Sequence, residues 1–255
     1  MKSSIFFYIL VLGFFSPFSF SQEVIRSSVS EEFMNGLHAK YLKNLAKHMG
    51  MEIEIVPMPF ARRLIELSKG KLDILVGIQR VDETQDEVVY INPSYETLRH
   101  TFFVRKENRS KLQSFEDLKK LSVGVTRYAK YFALFNQEPD LKMVSVSTLK
   151  QKVQLLMKGR INTFIHFQES TLPLITRMGL QNDIVLADYQ PIEMNDYYVT
   201  ISQNSPLFDK KHLLESAVRD AIAADEFATI RREHYETLRA SHGNSTPLTN
   251  SIKTD

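Results

Sequence analysis

The chain of 255 residues contains no cysteine. That absence removes disulfides, thiolate nucleophiles, iron–sulfur clusters and cysteine-based zinc sites together, and it fits an oxidising compartment. Charge of one sign is lacking as well. Thirty-two Lys and Arg stand against 30 Asp and Glu, a formal net charge of +2, and no basic block of five or more occurs. Neither tracking along phosphates nor an acidic tail is indicated, so no nucleic-acid partner is expected. Signatures of covalent and nucleotide chemistry are missing too: there is no G-x-S-x-G, no H-E-x-x-H, no Walker loop and no G-x-G-x-x-G opening a helix. The seven His are scattered, with no pair four residues apart to place two imidazoles on one helical face. No metal and no cofactor is expected. No apolar run reaches the roughly 20 residues needed to cross a bilayer.

What is present is an ordinary globular composition, 43% hydrophobic and 24% charged, in a length comfortable for two domains. Seven aromatics crowd into the first 21 residues, where a single Lys2 precedes an apolar run from Ile5 to Phe15. Eleven residues are too short to span a membrane but suit the apolar region of a secretory signal. Ser19 and Ser21 stand at the small-residue positions for cleavage before Gln22. The alternative is a hydrophobic helix retained as an anchor. With no cysteine available for lipidation, a freely soluble periplasmic protein beginning at Gln22 is expected. The polar stretch 241–255, with Gly243 and Pro247, reads as a disordered tail.

Between these ends, strand-like and helix-like segments alternate, which predicts an α/β protein with mostly parallel sheets covered by helices. Strands are predicted at Val24–Ser28, Met51–Pro57, Leu72–Ile78, His100–Arg105, Ser122–Thr126, Lys142–Val146, Asn162–Phe167, Ile184–Ala187 and Tyr197–Ser202. Helices are predicted from the four-residue recurrence of Leu37, Tyr41, Leu45 and Met49, closed by Gly50, and from Leu149, Val153 and Leu156 between Ser147 as N-cap and Gly159. Phe227, Ile230, His234 and Leu238 form a last amphipathic helix behind Asp225. An internal echo joins Leu67–Val76 to Leu156–Ile165, 89 residues on: helix, Gly turn, one basic residue, buried strand. Either two lobes of similar build or convergent helix-to-strand geometry explains it.

Several residues suit capture of a small, anionic molecule. Arg62 follows Pro59-Phe60-Ala61 at a helix start, where a guanidinium and free N–H groups can share a carboxylate. Arg80 follows a buried strand at its carboxyl end, and Arg127 with Tyr128 does the same after Ser122–Thr126, the edge at which open α/β sheets hold ligands. His166 closes another such strand. Phe60, Tyr128 and Phe167 are candidate walls of a site. A solvated surface charge or a core aromatic is the competing reading of each.

From Pro57 to Tyr95 the chain resembles the bacterial extracellular solute-binding proteins of family 3, the amino-acid-type receptors of ATP-driven importers. The resemblance is carried by Pro59-Phe60-Ala61-Arg62, by Gly70-Lys-Leu-Asp73-Ile-Leu-Val, and by the stretch Asp82 to Tyr95, similar to the family's element T-P-E-R, apolar pair, F-S-x-P-Y. It continues through Ser114-Phe-Glu-Asp117-Leu with Val123-Gly-Val, through Gly159-Arg-Ile, to Asp225 and the final helix, covering nearly all of Gln22 to Leu238. The resemblance implies a two-lobe periplasmic-binding fold of the second type. One lobe would comprise 22–98 plus 198–240 and the other 103–193, joined by hinge strands near Thr101–Val104 and Tyr197–Ile201, with a monomer closing on its ligand.

Three departures from the family narrow the ligand. Its carboxylate-binding Arg is here Thr84, its ammonium-binding Asp falls on Phe167, and its Gly-Thr/Ser helix start is Tyr128-Ala129. Burying an ammonium without a counter-charge costs several kcal/mol, which disfavours a plain amino acid unless Glu169 takes the role. The connection between Ser28 and Gly36 is also short for the family. The expectation is a non-catalytic receptor for a small polar or carboxylated molecule, with Arg62, Arg80 and Arg127 as anion clamps. Two alternatives remain open: a cleft enzyme resembling cyclohexadienyl dehydratase, with Glu169 and His166 as its acid–base candidates, and a ligand-sensing partner of a membrane signalling protein.

Overall fold

The computed structural model describes residues 23–80 and 87–241. The expected signal segment, the tail beyond residue 241, and the stretch 81–86 that includes Thr84 lie outside the described residues. In chain order the strands are β1 (Val24–Val29), β2 (Glu52–Pro57), β3 (Ile74–Gln79), β4 (Val88–Leu98), β5 (Thr101–Arg105), β6 (Ser122–Thr126), β7 (Lys142–Val146), β8 (Thr163–His166), β9 (Ile184–Leu186) and β10 (Asn195–Ser202). The α-helices are α1 (Leu37–His48), α2 (Phe60–Ser68), α3 (Ala133–Gln137), α4 (Leu149–Met157), α5 (Gln168–Arg177), α6 (Lys211–Ala223) and α7 (Glu226–Ser241).

Three sheets result. β1 and β2 pair in parallel, β3-β10-β4 form a three-stranded sheet, and β7-β6-β8-β5-β9 a five-stranded one. The strand directions are mixed where mostly parallel sheets were expected, and the pattern has a cause. β4 leads out of the three-stranded sheet and β10 returns to it, while β5 enters the five-stranded sheet and β9 leaves it. The pairings these crossing strands make, β10 with β3 and β4 and β5 with β8 and β9, are antiparallel. Those closed by helical or long connections, β1 with β2 and β6 with β7 and β8, are parallel.

Separate cores fill the two halves. Ile25, Tyr41, Leu45, Ile74, Val199, Val218 and Phe227 belong to one, built on β1–β4, β10, α1, α6 and α7. Phe102, Val123, Phe135 and Ile165 lie under one face of the five-stranded sheet, and Phe103, Val153, Phe164 and Ile175 under the other, beneath α4 and α5. The chain passes between the halves twice, at 99–100 and at 187–194.

The echo in sequence is an echo in structure. α2 and α4 each end on a glycine at positive φ, Gly70 at 69° and Gly159 at 66°, and each leads into a buried strand. The residue opening that strand clamps a neighbouring one. Asp73 accepts from the backbone N–H of Arg26 at 2.6 Å and from its guanidinium at 2.5 and 3.1 Å, with Ser205 Oγ at 2.5 Å. Asn162, 89 residues later, accepts from Ser122 N–H at 2.9 Å and Ser122 Oγ at 2.8 Å.

β4 is the strand that the sequence hides. Asn92-Pro93 sits inside it, and proline cannot donate to a ladder. β4 is an edge strand, where a missing donor is tolerated, and as β10 runs from Tyr197 to Val199 the pairing jumps from Glu96 to Ile91, leaving Asn92–Tyr95 outside the ladder. Helix α4 is capped by Thr148 rather than Ser147, through a reciprocal capping box with Gln151.

The two clamps differ in burial, and so should the effect of breaking them. Asp73 is 3% exposed and ion-paired, whereas Asn162 is exposed. Asp73→Ala is expected to lower stability by about 3–5 kcal/mol, and Asn162→Ala by about 1 kcal/mol. Urea unfolding of both variants measures the difference, and equal losses would contradict it.

Candidate functional site

Between the two halves lies a cavity of about 1120 Å³. One wall is made by α2, the end of β3 and the segment 29–38; the other by the turn after β6, the start of α4 and the residues ending β8.

The first wall follows from the phase of α2. Phe60, Leu64 and Leu67 recur at helical spacing and pack with Leu72, Leu75 and Ile78. Arg63 stands on that same apolar face and is only 8% exposed. Its guanidinium lies over the Phe60 ring at 5.1 Å and has no hydrogen bond or ion pair among the described residues; Nε is buried without a partner. Burial draws its pKa down to about 10. Arg63 and Phe60 both line the cavity. His38, also on this wall, is held neutral by burial and by the Arg63 charge, its pKa about 3.

The opposite wall hides a second cation. Lys152 of α4 is fully buried, and its Nζ meets Ile165 O at 2.8 Å, Thr126 Oγ1 at 3.1 Å and His166 Nδ1 at 3.3 Å. No carboxylate pairs with it among the described residues. Burial draws the ammonium down to about 7. His166 lines the cavity in front of it and is pushed well below the ordinary histidine value by burial and by Lys152. Phe167 stacks on buried His100 with centroids 4.6 Å apart and planes at 22°, and His100 reaches the Tyr197 hydroxyl at 3.4 Å. Burial keeps His100 uncharged, at about 3.

Several hydrogen bonds cross from one half to the other, among them that of Gln79 Nε2, which donates to Tyr131 O at 2.7 Å. Glu32 accepts from the N–H groups of Leu149 and Lys150 at 3.0 and 2.8 Å, so a carboxylate of the first half caps α4 of the second. Arg231 of α7 holds Glu96 Oε2 at 2.7 and 3.0 Å and Glu169 Oε2 at 3.0 Å. Burial raises the pKa of Glu96, and the Arg231 charge opposes that rise.

Of the residues singled out in sequence, Phe60, Tyr128, His166 and Phe167 line the cavity, whereas Arg62, Arg80, Arg127 and Glu169 do not. Tyr128 adopts φ 63°, and its side chain is 67% exposed. Arg62 points to solvent and pairs with Glu66 at 2.6 Å. Arg80 lies over the Tyr198 and Tyr90 rings at 4.6 and 5.2 Å and donates to Asn92 at 2.9 Å. Arg127 is exposed, and Glu169 serves Arg231. Arg63, Lys152 and His100 escaped the sequence reading. Arg63 and Lys152 carried a usable signal: each is a cation inside an apolar helical stripe. Among the described residues no cluster of three or more His, Asp or Glu is arranged to hold a metal, and no helix is long and apolar enough to cross a membrane.

An unpaired buried cation weakens the empty protein. Arg63→Met is expected to raise stability by about 1–3 kcal/mol in urea unfolding without ligand; a loss would show that Arg63 has a partner. Lys152 leaves a pH signature. Folded, its ammonium releases its proton near pH 7, against about 10.4 unfolded, so in this window the unfolded state binds more protons and stability rises with pH. Wild type is therefore expected to gain stability over Lys152→Met between pH 7 and 10, by roughly a few kcal/mol. Parallel stability curves would refute it.

The sequence pattern of the bacterial extracellular solute-binding proteins, family 3, matches residues 13–240. The L-cystine-binding protein TcyJ of Escherichia coli (strain K12) is 23% identical over 214 residues, which cover 83% of this chain and 74% of that protein. An amino acid ABC transporter substrate-binding protein, AbpA from Streptococcus pneumoniae Canada MDR_19A, solved with L-arginine, superposes with a TM-score of 0.71 at 17% identity, over 84% of this chain and 95% of its own. A histidine kinase sensor domain with similarity to periplasmic binding proteins gives 0.70 at 17% identity, over 84% and 96%. These two likenesses establish the fold.

Proposed function

The chain belongs to the bacterial extracellular solute-binding proteins, family 3, and on that premise we propose that it is a non-catalytic receptor that captures a small carboxylated molecule in the cavity and delivers it to an ATP-driven importer. The observation that carries this reading is Arg63, a buried guanidinium facing the cavity without a counter-charge. An incoming carboxylate supplies that charge, and a charge-assisted pair in a site shielded from water contributes far more than one at the surface.

Solute capture of this kind works by closure of two lobes, 22–98 plus 198–240 and 103–193. The separate cores and the two chain crossings support that division. The apolar run Ile5–Phe15 supports export to the periplasm, and the small residues Ser19 and Ser21 support cleavage after Ser21; action as a monomer is part of the proposal. A zwitterionic amino acid is disfavoured, because Phe167 is packed into an aromatic stack and Glu169 is engaged by Arg231. The same engagement disfavours a cleft enzyme, which would need that carboxyl in the cavity.

Thermal-shift screening of the purified protein against small organic acids and amino acids tests the reading. At least one acid is expected to stabilise wild type, with Arg63→Met weakening its binding by on the order of 100-fold and Arg62→Met leaving it nearly unchanged. Binding that survives Arg63→Met, or that requires Arg62, would overturn the assignment.

A further inference from the structure

The 89-residue echo extends further than its glycine turns. Phe60, Arg63, Leu64 and Leu67 on α2 correspond, at that same offset, to Leu149, Lys152, Val153 and Leu156 on α4. Each helix thus carries one basic residue at the second position of its buried stripe. Among the described residues the buried charged side chains are Arg63, Glu66, Asp73 and Lys152. Glu66 pairs with Arg62 and Asp73 with Arg26, so both anions are compensated. The two cations are not, and they approach the same cavity from opposite walls.

Lys152 does not reach the cavity itself; His166 stands between. With the ammonium donating to Ile165 O, Thr126 Oγ1 and His166 Nδ1, the imidazole accepts at Nδ1 and carries its proton on Nε2. Nε2 has no partner among the described residues, and His166 is part of the cavity wall. We propose that the ligand is a small molecule with two acidic groups, one held by Arg63 and the other by the Nε2–H of His166, with Lys152 as the positioning residue behind it. The inference deepens the receptor reading and rests on it.

One consequence is proton uptake. An anion on the cavity side of His166 favours the charged form of Lys152, whose pKa burial draws down to about 7. The groups that face Lys152 are His166 on β8 and His100 before β5, both kept neutral, with Glu32, the first-half carboxylate that caps α4, favouring the ammonium. On the remaining packed elements, Arg105 of β5 pairs with Glu107, Glu169 of α5 with Arg231, and Arg177 of α5 lies on the cavity wall. None of these supplies the missing negative charge. Above pH 7 the complex should therefore bind a proton that the empty protein lacks.

Isothermal titration with unbranched dicarboxylates of four to seven carbons, each compared with the monocarboxylate of equal length, tests this. At least one diacid is expected to bind 10-fold or more tightly than its monoacid. At pH 8 its binding heat should vary with buffer ionisation enthalpy, reporting proton uptake. Lys152→Met should abolish both the preference and the uptake. His166→Gln, on the cavity wall, should abolish the preference, and it carries the test together with the wild-type buffer series if Lys152→Met does not fold. Equal affinity for mono- and diacids, with Arg63→Met still destroying binding, overturns the two-acid proposal and leaves the receptor reading intact. Binding of amino acids alone, or of no acid at all, overturns both.

Discussion

Each half of this molecule turns on one side-chain clamp at the start of a strand. Asp73 and Asn162 occupy matching places after a helix and a glycine turn, and each accepts a backbone N–H from the strand beside it. The clamp fixes where the strand begins, and the glycine fixes where the preceding helix stops. Together they set the phase at which α2 and α4 lie against their sheets. A helix displaced by one residue rotates by about 100°, which would carry Arg63 or Lys152 from the cavity side to solvent. The electrostatics of the cavity are thus an outcome of strand registration.

Those electrostatics run against stability. Two buried cations lack carboxylate partners, and two imidazoles beside them, His100 and His166, are driven neutral by burial. A fold selected only for persistence would pair these groups or replace them with aliphatic side chains. The penalty is concentrated at one cavity, while elsewhere the buried charges Glu66 and Asp73 have partners. Cost confined to one place marks where binding free energy is collected.

Much of the framework was legible in the sequence because it rests on local periodicity. The nine strands read from apolar runs are present within a few residues, and the glycine echo corresponds to two real helix-to-strand units. β4 was not legible, since a proline inside a strand is acceptable only at an edge, and being an edge is a property of the assembled sheet. Half of the candidate site residues, Phe60, Tyr128, His166 and Phe167, reached the cavity wall because strand ends and helix starts converge there by topology. The arginines chosen for proximity to those ends did not. Arg62 stands beside the cavity-lining Arg63 and itself faces solvent, for a chain position tells where a residue is and only helical phase tells where it points. Lys152 needed a further step, because its contact with His166 emerges only when α4 is laid across β8.

Side chains tie one wall of the cavity to the other. The bonds of Glu32 to the first turn of α4, of Arg231 to Glu169 and of Gln79 to Tyr131 must let go along any path that draws the two walls apart. They oppose that separation, and Glu32 and Arg231 also line the cavity. Their weight falls on timing: the dwell of a captured molecule depends on how fast bonds between one wall and the other open.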